Sequence, residues 1–267
     1  MRGAQTLEAR LDSILQDMGS LVVAFSGGVD SAYLAVRAQR VLGERALAVT
    51  ADSASLPGAQ RALVADIVTR FALRHRTIET REMEDERYLR NAKDRCYFCK
   101  SELFSHLLPL ARHEGYAHVA YGLIASDLED FRPGHRAAQE AGIRGPLAEA
   151  GMDKEDVRSL SRALGLPTAD LPASPCLSSR LPYGTRVEPA VLRRIDAAED
   201  AVRALGFREL RVRHLGDAAR VEIAVEELPA LADAALRARV EEAVRSAGYA
   251  RVDVDPRGYR RGRLNEV

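Results

Sequence analysis

Apolar positions along the chain follow two periods. In residues 6–18, Leu7, Leu11, Ile14, Leu15 and Met18 recur at three- and four-residue steps, which puts them on one face of a helix. Thr6 stands where a capping hydroxyl would sit. The run SLVVAFS (20–26) is short, continuous and Val-rich, the pattern of a buried strand. GGVDS breaks it, and AYLAVRAQRVLG returns to helical spacing with Gly43 placed near its end. The alternation then repeats: a strand over 45–53, a helix over 58–73, a strand over 74–81, a helix over 100–115, a short strand over 118–122, and a helix opening at RPGHRAAQEAG. Buried strands alternating with helices predict an α/β fold, a parallel sheet with helices on both faces.

The pattern changes near residue 170. DLPASPCLSSRLPYG (170–184) holds three prolines and reads as a linker or functional loop. Beyond it the spacing predicts a helix over 189–206, a hairpin over 209–225 turning at Gly216-Asp217, a helix over 227–248 and a last strand over 249–255. Two domains are expected: an α/β domain over 1–170 and a small α+β domain over 171–267.

Charge and composition narrow the function. The 39 basic and 39 acidic residues cancel, so no electrostatic steering toward nucleic acid or an anionic membrane is implied. Aromatic residues make up 5% and Trp is absent, which argues against a base-stacking platform. No apolar run approaches the roughly 18 residues of a membrane span, and the N-terminal stretch lacks the apolar core of a secretory signal. A cytoplasmic location is the expectation. Thiols stay reduced there, so the three cysteines are ligands, nucleophiles or core residues before they are disulfides.

The strongest local signal is Ser26-Gly27-Gly28-Val29-Asp30-Ser31, set between a buried strand and a helix. Two glycines let backbone N–H groups approach an anion, and a helix N-terminus adds partial positive charge. Ser31 is placed to cap the helix; the Ser26 and Ser31 hydroxyls add donors. Asp30 suits a magnesium ion or the organisation of the loop. No Gly-Lys-Ser/Thr follows, so this is not the lysine-bearing phosphate loop. An ordinary tight turn is the bland alternative, and the full hexapeptide in this context weighs against it.

SGGVDS resembles the pyrophosphate loop of the ATP pyrophosphatases, which include GMP synthetase, NAD synthetase and tRNA thiolation enzymes. CYFCK, SDLEDFRPG, SPCLSSR, YGTR and GYRRGRLNE are then similar, in order, to the LarE family of ATP-dependent sulfur transferases, which help to make the nickel-pincer nucleotide cofactor of lactate racemase. The resemblance implies that Ser26, Gly27, Gly28, Val29, Asp30 and Ser31 hold ATP with Mg2+. Thr50 and Ala51, at the second strand's end, offer a shelf for adenine or ribose. Gly122, Asp127 and Arg132 follow the strand at 118–122, where parallel sheets place ligands. A capped, solvated helix start is the other reading of those acids and arginines. Lys154 has the reach for a phosphate, or is a surface lysine.

The cysteines carry several readings. CYFCK (96–100) lets two thiolates face one metal or form a redox pair, although its place in the fold does not match the redox kind. Four-cysteine zinc fails on count; three cysteines with one of His106, His113, His118 or His135 stay open. Three thiolates on a four-iron cluster leave one iron with an open position. The family resemblance implies either a single sulfur-donating cysteine matching Cys176, or three cysteines holding a [4Fe-4S] cluster that carries sulfide. Cys96, Cys99 and Cys176 match the second type, and are expected to converge near the Ser26–Ser31 loop. Cys176, Asp30 and Arg180 are then the catalytic residues, and Ser179, Arg180, Arg211 and Arg213 hold the substrate. Glu199 and Glu222 are left between site and surface. The implied substrate is pyridinium-3,5-biscarboxylic acid mononucleotide, with a sulfide donor as partner and a homo-oligomer, a hexamer in the family, as the assembly. A tRNA thiolase, or a non-catalytic ATP sensor with a structural zinc, are the alternatives.

Overall fold

The computed structural model describes residues 2–129 and 133–259. In chain order these form α1 (Arg2–Met18), β1 (Leu21–Ala24), α2 (Val29–Leu42), β2 (Ala46–Asp52), α3 (Gly58–Arg70), β3 (His75–Glu79), α4 (Glu86–Leu89), α5 (Arg95–His113), β4 (His118–Tyr121), α6 (Pro133–Glu140), α7 (Pro146–Glu149), α8 (Lys154–Ala163), α9 (Pro189–Arg203), β5 (Leu210–Leu215), β6 (Ala218–Ile223), α10 (Ala234–Ser246) and β7 (Arg251–Val254). They group into two compact units. The first runs to Ser53 and resumes over Gln60–Glu82 and Asp94–Ser174; the second comprises Ala54–Ala59, Met83–Lys93 and the chain from Pro175.

In the first unit the sheet order is β3-β2-β1-β4, with every pairing parallel. All four residues of β1 are buried, because helices cover both faces of the sheet. Alternate side chains of a strand point to opposite faces. Leu21, Val23, Ala46 and Ala48 join the core formed with α1, α2 and α8, through Leu11, Leu15, Leu34 and Val157. Val22, Ala24, Leu47 and Val49 pack instead on Phe104 and Leu107 of α5 and Ala138 of α6. The α/β sheet expected from the apolar pattern is therefore present. Helix α1 begins at Arg2, so Thr6 lies inside it and not at its cap; Ala4 and Gln5 are themselves good helix formers, and nothing delays the start. Arg37 of α2 pairs with Glu8 and Asp12 of α1 and ties the two helices together.

In the second unit β5 and β6 form the expected antiparallel hairpin, and β7 lies parallel to β6. α9 and α10 supply Ala198, Val202, Val240 and Val244 to its core. The helix expected over 227–248 is two pieces, a 3-10 turn at Leu228–Ala232 and α10. Asp233 is extended between them, and its side chain accepts from the N–H groups of Ala235 and Leu236. A capping carboxylate there starts a new helix. Among the described residues no helix is long and apolar enough to cross a membrane.

α8 starts in a capping box. The Asp153 side chain accepts from the N–H groups of Glu155 and Asp156, and Asp156 accepts from the N–H of Asp153. Asp153→Ala is expected to lower unfolding free energy by about 1 kcal/mol in urea titration; an unchanged midpoint would show that the box does not hold the helix.

Candidate functional site

The Ser26–Ser31 loop is shaped by two close approaches. Gly27 has φ +74°, and a Cβ there would lie 2.8 Å from both Gln60 Nε2 and Val64 Cγ2. Gln60 Nε2 donates to the Ser26 carbonyl at 3.0 Å. Gly122, just past β4, lies against the first turn of α2: a Cβ on it would stand 2.7 Å from Ser31 N and 2.9 Å from the Asp30 carbonyl carbon. At Gly122 the neighbours are backbone and have no room to give, and at Gly27 the positive φ adds strain to the side-chain crowding, so both positions favour glycine.

Ser31 does not cap α2. The helix starts at Val29 with Gly28 at its cap, which leaves Ser31 buried within the first turn. Its hydroxyl donates to Gly28 O at 3.1 Å, accepts from Ser26 N at 3.2 Å and lies 3.1 Å from Ser26 Oγ. It staples the loop closed. The opening N–H groups of α2 have no acceptor within the helix and carry its positive end. A loop and helix start of this form is the kind of cradle that can receive an anion such as phosphate.

Asp30 lies in that same turn. Its Oδ2 accepts from Lys154 Nζ at 2.5 Å, while Oδ1 is buried with no hydrogen-bond partner among the described residues. Burial pushes its carboxyl above the ordinary value; Lys154 opposes this, Asp127 adds to it and Arg158 opposes it. A buried carboxylate oxygen without a donor fits a cation, and hard oxygen ligands suit Mg2+.

Around the cradle the expected residues are placed unevenly. Thr50 is buried, and its hydroxyl donates to the Phe25 carbonyl at 2.7 Å and meets His75 Nε2 at 2.9 Å. Its side chain serves the sheet, leaving the half-buried Ala51 beyond it at the strand's end. Asp127 sits in a 3-10 turn (Ala125–Glu129) after β4. Tyr121, whose hydroxyl lies 3.3 Å from His135 Nδ1, is pushed up to about 12 by burial and by Asp127. Arg132 and Asp130 lie outside the described residues.

Cys96 and Cys99 occupy the first turn of α5, three residues apart and so on one side of it. Cys96 is exposed and Cys99 half-buried, unlike core thiols, and none of the three cysteines forms a disulfide. Gly134 of α6 approaches closely enough that a Cβ would stand 3.4 Å from the Cys96 carbonyl oxygen. Arg136 stacks over the Tyr97 ring at 4.3 Å and fixes α6 there. Of the histidines, His106 pairs with Glu102 at 2.8 Å. Within either unit, among the described residues, no group of three or more His, Cys, Asp or Glu side chains stands at metal-holding distances.

Cys176 belongs to the second unit, where it precedes a 3-10 turn (Leu177–Arg180). Arg180 is completely buried. It donates to both oxygens of Glu199, at 2.8 and 3.0 Å, and through Nη1 to the carbonyls of Pro175 at 2.5 Å and Cys176 at 3.0 Å, and to Ser179 Oγ at 3.1 Å. The guanidinium thus grips the backbone of the cysteine loop. Glu199 also accepts from Arg203 and from the N–H of Val212. Burial pushes its carboxyl up, but Arg180, Arg211 and Arg203 outweigh that and hold it below the ordinary value. Arg213 bonds Glu222 at 2.9 Å and the Ser179 carbonyl at 2.8 Å, and Arg211 lies 4.8 Å from the Tyr259 ring. Ser179, Arg180, Arg211 and Arg213 are therefore brought together, with Glu199 and Glu222 as their counter-ions.

Across 98% of its length the chain is 34% identical to the pyridinium-3,5-bisthiocarboxylic acid mononucleotide synthase of Lactiplantibacillus plantarum, covering 95% of that protein. It belongs to the LarE family. An uncharacterised Synechocystis protein is 40% identical over 98% of both chains. A Methanocaldococcus jannaschii protein, also uncharacterised, is 25% identical over 76% of this chain and 77% of its own. No family model matches the chain.

LarE membership and the parallel sheet together give the first unit its ATP-pyrophosphatase fold class. Sequence reasoning singles out Glu199 of this LarE-family chain but leaves it between site and surface, because helical spacing suits either. The only sequence signal was its place on the apolar side of α9, beside Leu192, Ile195, Ala198 and Val202. Glu199→Gln should cost about 3 kcal/mol of stability in guanidinium denaturation, since it strands a buried guanidinium. Replacing both partners, Arg180→Met with Glu199→Leu, should recover most of that loss; a double variant no better than Glu199→Gln would show that the pair itself is stabilising.

Proposed function

We propose that the chain is a sulfur-transferring enzyme that converts carboxyl groups of a pyridinium mononucleotide to thiocarboxyl groups after activating them with ATP. The observation that carries this reading is the Ser26–Ser31 cradle with its unpartnered Asp30 oxygen, in a chain 34% identical to a synthase of the bisthiocarboxylic acid mononucleotide. The backbone N–H groups of Gly27, Gly28 and Val29 and the Ser26 hydroxyl hold the β- and γ-phosphates. Asp30 takes the magnesium ion. Thr50 and Ala51 on one side, and Gly122 and Asp127 on the other, bracket the nucleoside.

A carboxylate is a poor electrophile, so the substrate carboxylate first attacks the α-phosphorus, and pyrophosphate leaves from the cradle. The acyl-adenylate then accepts sulfide at its carbonyl carbon, AMP departs with the C–O bond pair, and a thiocarboxylate remains. A [4Fe-4S] cluster held by Cys96, Cys99 and Cys176 would supply that sulfide from its remaining iron; three thiols and no disulfide suit a soft iron site. Arg213, the more exposed of the two strand arginines, faces the substrate phosphate, and the buried Arg211 adds positive charge behind it. Arg180 is too deeply buried to touch a substrate, and serves by holding the Cys176 loop.

The test is anaerobic reconstitution with iron and sulfide, then ATP, Mg2+ and the dicarboxylated mononucleotide, with mass detection of oxygen-to-sulfur exchange and assay of pyrophosphate. Cys176→Ala should abolish sulfur insertion and leave ATP affinity within about twofold. Loss of ATP binding in that variant would refute the separation of the two roles. Bound zinc without visible iron–thiolate absorbance would sink the cluster.

A further inference from the structure

The Asp30–Lys154 contact joins two residues that the proposed chemistry needs apart. Asp30 must meet a metal ion, yet its Oδ2 is taken by Lys154 Nζ at 2.5 Å. Lys154 is the first residue of α8, and the Asp153–Asp156 capping box fixes its backbone. Its side chain is 43% exposed, so the ammonium can swing on its four-carbon stem without moving the helix. Asp30 Oδ1 stays buried, with no hydrogen-bond partner among the described residues, even with Lys154 in place. The ammonium therefore neutralises the carboxylate without satisfying it.

Charge decides what can displace Lys154. Beside Asp30, Lys154 and Arg158 favour its charged form and Asp127 opposes it. A divalent cation arriving alone meets two cationic side chains beside the carboxylate it needs. Lys154, for its part, leaves Asp30 only at a cost, because a half-buried carboxylate with one oxygen out of water is poorly solvated without a counter-ion. A triphosphate entering the cradle changes both terms: it gives the ammonium a stronger anionic partner and supplies further oxygens to the metal.

We infer that Lys154 holds the place of the divalent cation at Asp30 until a nucleoside triphosphate arrives, and then transfers to the phosphates as the cation enters. Lys154 thus sets the order of binding: metal and nucleotide enter together, and free metal is refused. This inference rests on the Ser26–Ser31 loop being a phosphate cradle.

The experiment measures Mn2+ bound to the full-length protein by rapid gel filtration and metal analysis, with and without ATP and against a protein-free Mn2+–ATP control. Wild type should bind Mn2+ tightly only with ATP. Lys154→Met should bind Mn2+ at least about tenfold more tightly than wild type in the absence of nucleotide. Adding Asp30→Asn to that variant should remove the gain, and Lys154→Gln should reproduce it if Lys154→Met folds poorly. Because coupling is reciprocal, Mn2+ should also improve ATP affinity less in Lys154→Met than in wild type. If Lys154→Met and Lys154→Gln bind Mn2+ no better than wild type without nucleotide, while wild type binds it with ATP, the place-holding role is overturned and the cradle stands. If wild type binds neither ATP nor Mn2+ together with ATP, the cradle reading fails and takes the inference with it.

Discussion

Where β4 ends, backbone meets backbone. The first turn of α2 occupies the space that any side chain at residue 122 would fill, with Ser31 N only 2.7 Å from the position of such a Cβ. This contact sets the height of α2 above the sheet, and so the place of its opening N–H groups and of Asp30. Gly27 does the same on the other flank, where α3 presses Gln60 and Val64 against the loop. A cradle made of backbone needs walls that cannot drift, and both walls come from the ends of parallel strands and the helices that follow them.

The second unit solves a different problem, how to keep several arginines close together. Arg180, Arg203 and the backbone of Val212 all converge on the Glu199 carboxylate, which is completely buried. One buried anion offsets several neighbouring cations and binds α9, the cysteine loop and β5 to one another. Such pairs add little net stability compared with an apolar core, but breaking one is expensive. What the pair contributes is a fixed loop geometry on either side of Cys176.

Local pattern made much of this legible. The four strands of the parallel sheet, the helices between them and the hairpin at Gly216-Asp217 follow from apolar spacing and turn residues, and SGGVDS marks the strand-to-helix loop. Boundaries set by a single residue were harder. Ser31 looks like a cap, yet Gly28 already ends the turn, and Asp233 splits a stretch that is helical in period throughout. The partnerships were not legible at all. Asp30 and Lys154 are 124 positions apart, and Arg180 and Glu199 lie on different elements; only folding brings opposite charges together over such separations, and a helical wheel places a buried acid no differently from a solvated one. Likewise the Thr50 hydroxyl, attractive as a ligand contact, is used within the sheet.

The capping box at the start of α8 separates two kinds of constraint that usually fall on the same residue. Asp153 and Asp156 carry the helix start, so Lys154, one of the two residues between them, has no part in the cap and is left to pair with Asp30. Position 154 is therefore a place where a change of side chain alters the charge beside Asp30 without disturbing the start of the helix. A residue buried in the sheet has no such latitude.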